Sequence, residues 1–306
     1  MKQTDFRMAH FILLLALALI PLQGIGQSSA DDTKPIAELK SSAEKGDQVA
    51  QYRLGRRYFR GLGVSEDYAE AVKWWRKAAD QGNALAQFNL GCCYGFGEGV
   101  DRDPVEAVRL YRKAAEQGNP DAQYNLGRCL FDGNGVTKDY AESLKWMLKS
   151  AEQGVADAQC NVGNFYAHAT VVPRDYVMAA KWWRKAANQG NSDAQVFLAS
   201  CYSNGNGLEQ NQTEAVKWYQ KAGDQGNADG LNNLGDIYSN GRGVPKDEIE
   251  GYAYYNLAAV TLASARKALV DLESKMSSDT RVRGQQRTRE LKKEIDQKIA
   301  AKEASR

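Results

Sequence analysis

Residues 47–83 read DQVAQYRLGRRYFRGLGVSEDYAEAVKWWRKAADQGN, and stepping by 36 from most of these positions reaches the same kind of residue again. Gly55 recurs as Gly91, Gly127 and Gly163, then as Ala199 and Gly235. Tyr58 recurs as Tyr94, Tyr166, Tyr202 and Tyr238, with Leu130 in the third copy. Ala78 recurs as Ala114, Ala186, Ala222 and Ala258. Six such copies run from about residue 47 to about 260. A fixed period of this length marks a chain built from one small unit stacked on itself. Such stacks grow without a second core, so length alone does not imply two ordinary domains.

Within one copy, Ala50, Leu54 and Tyr58 lie four apart and share one face of a helix. Gly55 interrupts that face. A glycine inside a helix costs about 1 kcal/mol against alanine, so its recurrence implies close contact between helices. Gly61-Leu62-Gly63-Val64 ends the helix, glycine supplying the left-handed backbone that a helix end takes. Asp67 and Glu70 have capping-box spacing, repeated at Asp103/Glu106, Asp139/Glu142, Asn211/Glu214 and Asp247/Glu250. Tyr68, Ala71, Val72, Trp75, Ala78 and Ala79 make the apolar stripe of a second helix. Gly82 closes it and Asn83 caps the next helix. Each unit is predicted to be a helical hairpin needing neighbours on both sides.

The strings Ala50 to Tyr58, Gly61 to Val64 and Ala71 to Asn83 carry a resemblance: the chain is similar to the Sel-one-like repeat, a relative of the tetratricopeptide repeat. That resemblance covers roughly three quarters of the chain. It implies an all-α, right-handed α-α superhelix of about six 36-residue hairpins with capping helices, the first helices lining the concave face. It implies adaptor work or, in exported bacterial members, contact with host or envelope proteins. Some cysteine-rich relatives are linked to penicillin-type compounds, but their regular paired cysteines are absent here, and that activity is not carried over.

Domain bounds follow. Residues 1–30 read as a secretory signal peptide: Lys2 and Arg7, an apolar run from Phe11 to Leu22, then Ser28-Ser29-Ala30 before Asp31. An uncleaved anchor is the alternative. Residues 31–46 form an N-terminal capping helix, 47–262 the repeats, and 263–306 a charged helical cap or tail. Leu291, Ile295 and Ile299 give that tail a sparse apolar stripe, predicting a partly docked, fraying helix. A basic helix for membranes or acidic partners is the sharper reading, with twelve Lys/Arg against seven Asp/Glu from Ser264 to Arg306. The expected location is periplasmic or secreted, without stable membrane insertion once the signal is removed.

The net charge of +2 gives no nucleic-acid footprint. The cysteines Cys92, Cys93, Cys129, Cys160 and Cys201 are odd in number, and three share one repeat slot with Arg57, Phe165 and Ile237. They read as small hydrophobes, with no regular disulfide ladder expected. No cofactor, metal or catalytic residue is expected. His168 stands without a paired nucleophile, and Ser42 to Lys45 and Ser264 to Lys267 lack the companion motifs of β-lactamases. Asn211-Gln212-Thr213 fits a glycosylation acceptor. Where other copies have Gly-x-Gly, the fourth has Ala169-Thr170-Val171, read as loop drift.

Under the tetratricopeptide alignment the groove residues of the first three copies are aromatic and arginine-rich, types that dominate binding hot spots. Tyr52, Arg56, Phe59, Arg60, Phe88, Phe96, Tyr124, Arg128 and Phe131 are the candidate partner-binding residues. Packing between helices is the bland reading of Tyr52, Phe88 and Tyr124. The leading expectation is a non-enzymatic, exported scaffold for a protein or peptide. A penicillin-interacting hydrolase and a cell-wall or polysaccharide regulator are the alternatives.

Overall fold

The computed structural model describes residues 35–305. The signal-peptide reading and its cleavage point before Asp31 lie outside the described residues. Among the described residues there are fifteen helices and no strand. They fall into two compact units that divide between Gln153 and Gly154.

The first unit opens with α1 (Ile36–Glu44), followed by three hairpins: α2 (Gln48–Arg60) with α3 (Tyr68–Asp80), α4 (Ala84–Phe96) with α5 (Pro104–Glu116), and α6 (Pro120–Asp132) with α7 (Tyr140–Glu152). The second unit has three more: α8 (Ala156–His168) with α9 (Tyr176–Asn188), α10 (Ser192–Asn204) with α11 (Gln212–Gly223), and α12 (Ala228–Asn240) with α13 (Glu248–Ala258). It closes with α14 (Ala263–Glu273) and α15 (Ser278–Ala304).

The repeated residues explain these elements. Leu54, Leu126, Leu198 and Leu234 are fully buried, as is Val162 in the same slot. Full burial of such a side chain contributes about 1.5–3 kcal/mol. Gly55 sits against the second helix, where a Cβ would stand 2.6 Å from the Trp75 indole. Gly91 meets Tyr111, Gly163 meets Trp183 and Gly235 meets Tyr255 in the same way. The mid-helix glycine is therefore the hole into which a large side chain twenty residues later fits.

The capping box forms by half. Asp67 accepts from the Glu70 backbone N–H at 2.9 Å, and Asp103, Asp139, Asn211 and Asp247 do the same in their copies. The Glu side chain does not reach back, because the cap's own N–H is already bonded to the preceding helix. Asp67 donates to the Tyr58 carbonyl at 2.9 Å, Asp103 to Tyr94 at 2.8 Å and Asp139 to Leu130 at 3.0 Å. Asp175, Asn211 and Asp247 repeat this bond to Tyr166, Tyr202 and Tyr238. It satisfies one carbonyl that a helix end would leave open.

Buried glutamines tie the two helices of each hairpin together and join each hairpin to the helix before it. In the first unit Gln81 donates to Gln51 at 2.7 Å, Gln117 to Gln87 at 2.7 Å and Gln153 to Gln123 at 2.8 Å. In the second, Gln189 donates to Gln159 and Gln225 to Gln195, both at 2.8 Å. Gln51, Gln87, Gln123 and Gln195 also donate to the carbonyls of Ala43, Ala79, Ala115 and Ala187.

The C-terminal tail departs from the fraying expectation. Helix α15 runs unbroken for 27 residues and buries Leu291 and Ile295 in the core of the second unit. Ser277 caps it, accepting from Thr280 N–H at 3.1 Å. Arg287 pairs with Glu250 at 2.6 Å and Lys298 with Asp224 at 2.8 Å, while Lys302 donates to Gln225. Three spaced polar anchors flank the short apolar stripe. The stripe alone predicts only partial docking of the helix, and the anchors are not visible from the helix's own sequence.

Candidate functional site

The candidate partner-binding residues all lie on the first helices of the three hairpins in the first unit, α2, α4 and α6. The structure separates them into surface and core. Phe59 and Phe88 are each only 6% exposed and are corrected to core residues. Phe59 packs its ring 4.9 Å from Tyr68 and 5.2 Å from Trp75, and Phe88 lies 6.1 Å from Tyr111. Aromatic pairs at these separations stabilise the hairpin rather than a partner. Cys92, also on the groove side of the alignment, is fully buried.

The other seven reach solvent. Arg128 and Phe131 are exposed, and Tyr52, Arg56, Arg60, Phe96 and Tyr124 are half-buried. Tyr52 on α2 shares hydrogen bonds with Asn89 on α4 and with Arg56, which ties neighbouring first helices together. Burial raises the Tyr52 phenol above its usual range, with Arg56 opposing. The Arg128 guanidinium stands 5.8 Å from the Tyr124 ring centre. The Phe131 and Tyr140 rings meet edge to face with their centres 5.1 Å apart, and both residues keep more than a third of their surface exposed. Tyr140 stands in the slot of Tyr68, which the first copy places in the apolar stripe of the second helix. Val49 and Leu85, in the first turns of α2 and α4, add further exposed apolar surface.

The five cysteines are unpaired thiols, four of them buried. Burial pushes Cys92 and Cys160 up to about 12, and Cys129 and Cys201 up to about 11. Thiols held this far above neutrality make poor nucleophiles. Among the described residues no group of three or more His, Cys, Asp or Glu side chains is placed to hold a metal ion. Among the described residues, too, no helix is long and apolar enough to cross a membrane. His168 is exposed at the end of α8, and Asn211 uses its side chain as the cap of α11.

Repeated hairpins with generic joints and variable first helices define an all-α repeat scaffold. The Sel1 repeat pattern matches residues 48–83, 84–119, 120–155, 156–191, 192–227 and 228–259, and the chain belongs to the Sel1 repeat family. It is similar to a Sel1 repeat protein from Oxalobacter formigenes, with 34% identity over 74% of this chain and 100% of that one and a TM-score of 0.65. It shares its fold with a protective antigen of uropathogenic Escherichia coli strains that displays an SLR fold. That likeness is 24% identity over 89% of this chain and 74% of the other, with a TM-score of 0.54. No curated protein matches the chain. Sel1 repeats form helical scaffolds that generally serve protein interaction and are typically non-catalytic.

Proposed function

We propose that this chain is an exported, non-catalytic scaffold that binds a protein or peptide on the first-helix face of its first unit. One observation carries the reading: Arg128, Tyr124, Phe131 and Tyr140 gather aromatic surface and a guanidinium at one solvent-facing place. Clustered exposed aromatics rimmed by charge favour a partner over water. Tyr52, Arg56, Arg60 and Phe96 extend the same face toward the N-terminal hairpins.

The test is site-specific photo-crosslinking. A benzophenone amino acid at position 131 should trap one defined partner, and the same probe at Val105, exposed on second helix α5, should not. Arg128→Ala combined with Phe131→Ala should remove the product without loss of helicity. Equal trapping from both positions would remove the face from consideration. Export is tested by the N-terminus of the mature chain, expected at Asp31. Nitrocefin turnover by the purified chain would overturn the non-catalytic reading.

A further inference from the structure

A second recognition site follows from a break in the repeat on the second unit, independent of the face just described. Five of six copies carry a glutamate at the third position of the second helix: Glu70, Glu106, Glu142, Glu214 and Glu250. Each neutralises a cation. Glu70 holds Lys73 at 2.8 Å, Glu106 holds Arg109 at 2.6 Å and Glu142 holds Arg112 at 2.5 Å. Glu214 holds Lys217 at 2.6 Å and Glu250 holds Arg287 at 2.6 Å. Glu142 also accepts from the Trp146 indole N–H, one helical turn on, at 3.1 Å.

The fourth copy has Met178 at this position. Its cation and its indole remain. Lys181, in the slot of Lys73, Arg109 and Lys217, makes no ion pair among the described residues. Trp182, in the slot of Trp146, is 8% exposed, and its buried indole nitrogen has no hydrogen-bond partner. A buried donor without a partner is costly to leave so. The Trp74 nitrogen is also unpaired, but there Glu70 stands one turn back, engaged with Lys73. Only the fourth copy lacks the carboxylate altogether.

These groups border an open groove of about 450 Å³ lined by Val177, Met178, Lys181, Trp182, Lys185 and Leu208, among others. Lys181, Arg184 and Lys185 line it, and no acidic side chain does. Lys185 stands 4.0 Å over the Trp182 ring, and Val177 is 50% exposed at the edge. The site therefore combines apolar floor, buried N–H donor and excess positive charge. We propose that this groove on α9 binds an acidic segment of a partner protein. A glutamate or aspartate of that segment takes the place that each other repeat fills with its own glutamate. Its carboxylate accepts from Trp182 and pairs with Lys181, while a neighbouring apolar side chain rests on Val177 and Leu208.

The probe is the tetrapeptide acetyl-Leu-Glu-Leu-Leu-amide, titrated into the full ¹⁵N-labelled chain while the indole N–H resonances are followed. The Trp182 resonance is assigned by its loss in Trp182→Phe. It should move downfield with the Glu peptide, and the Gln twin should bind about tenfold or more weakly, as expected for losing a charged hydrogen bond. Met178→Glu installs the residue that five sister positions already carry, so the fold is kept. It should shift the same resonance without peptide and weaken peptide binding by about tenfold or more. Equal binding of the Gln twin, an unmoved Trp182 signal, or undiminished binding by Met178→Glu would each overturn the proposal. A full response to acetate alone, with nothing gained from the leucines, would overturn a peptide as the occupant.

Discussion

Gly55 and Trp75 occupy adjoining halves of one space: a Cβ on Gly55 would stand 2.6 Å from both Nε1 and Cδ1 of the indole. The indole is pinned at that same edge, since Nε1 donates to the Tyr52 carbonyl at 3.0 Å. Gly55→Ala gains about 1 kcal/mol of helix propensity but forces a rigid ring aside at about 1–3 kcal/mol. Net destabilisation is expected. Gly127→Ala meets Met147 Cγ at 2.7 Å and the Ser143 carbonyl oxygen at 3.3 Å, and because an unbranched side chain yields more readily than an indole it should cost less than Gly55→Ala. Urea unfolding midpoints compare the two, and equal stability for both would show that the ring does not set the residue.

The glutamine links make a different demand. Gln87 receives from Gln117 and donates to the Ala79 carbonyl, and it is buried. Gln87→Leu keeps the volume and removes two hydrogen bonds worth about 0.5–1.5 kcal/mol each, so it should cost about 1–3 kcal/mol. In the last copy the same slot is naturally Leu231, also buried. Leu231→Gln should therefore bring no gain. A stable Gln87→Leu variant in thermal melts would mean that the links are incidental.

Helix α8 is the least well finished of the first helices. Val155 offers no side-chain cap where Asn83, Asn119, Asn191 and Asn227 each accept a backbone N–H. At its other end Ala169 takes φ 55°, the one non-glycine residue with positive φ among those described. Val155→Asn should stabilise by about 1 kcal/mol, and Ala169→Gly by about 1–2 kcal/mol through relief of the left-handed conformation. Hydrogen exchange along α8 should slow in both variants, and unchanged exchange would refute the account.

Alkaline pH should weaken the fold. The folded chain holds the Cys92 and Cys160 protons up to about 12, against an ordinary 9.0. Burial also raises Tyr219 to about 12 and Tyr111 well above its usual range. These groups charge earlier in the unfolded chain than in the folded one. Stability is thus fully present below about pH 9 and falls as pH climbs toward 12. Urea midpoints at pH 8, 9 and 10 should decline, and Cys92→Ala should decline less steeply. Maleimide labelling at pH 8 should reach half-buried Cys129 before buried Cys92.

The architecture was legible because a fixed period repeats its physics: alanine and glycine where helices touch, aspartate where they start. Ser277 starts the last helix by the same chemistry. Phe59 and Phe88 were misplaced because the alignment gives a side of the helix, whereas exposure depends on how deeply the rings of Tyr68, Trp75 and Tyr111 come in. The anchors of α15 were hidden because Glu250, Asp224 and Gln225 lie far away in sequence. Met178 was visible as a departure from glutamate. Its meaning requires the structure, in which Lys181 makes no ion pair among the described residues and the Trp182 indole N–H has no acceptor.

The bond from each second-helix cap to the carbonyl nine residues earlier has a genetic consequence. Because Asp67 to Tyr58 and its five counterparts are backbone bonds, they do not depend on which side chain the earlier residue carries; leucine serves at 130 as tyrosine does elsewhere. An in-frame duplication or loss of 36 residues would rejoin the chain with the same bond on each side of the seam. The ends do not share that freedom, since Lys302 and Leu231 suit one terminus only. Relatives should therefore differ in the number of middle hairpins while keeping their last helices, and reach along a partner would change in whole steps.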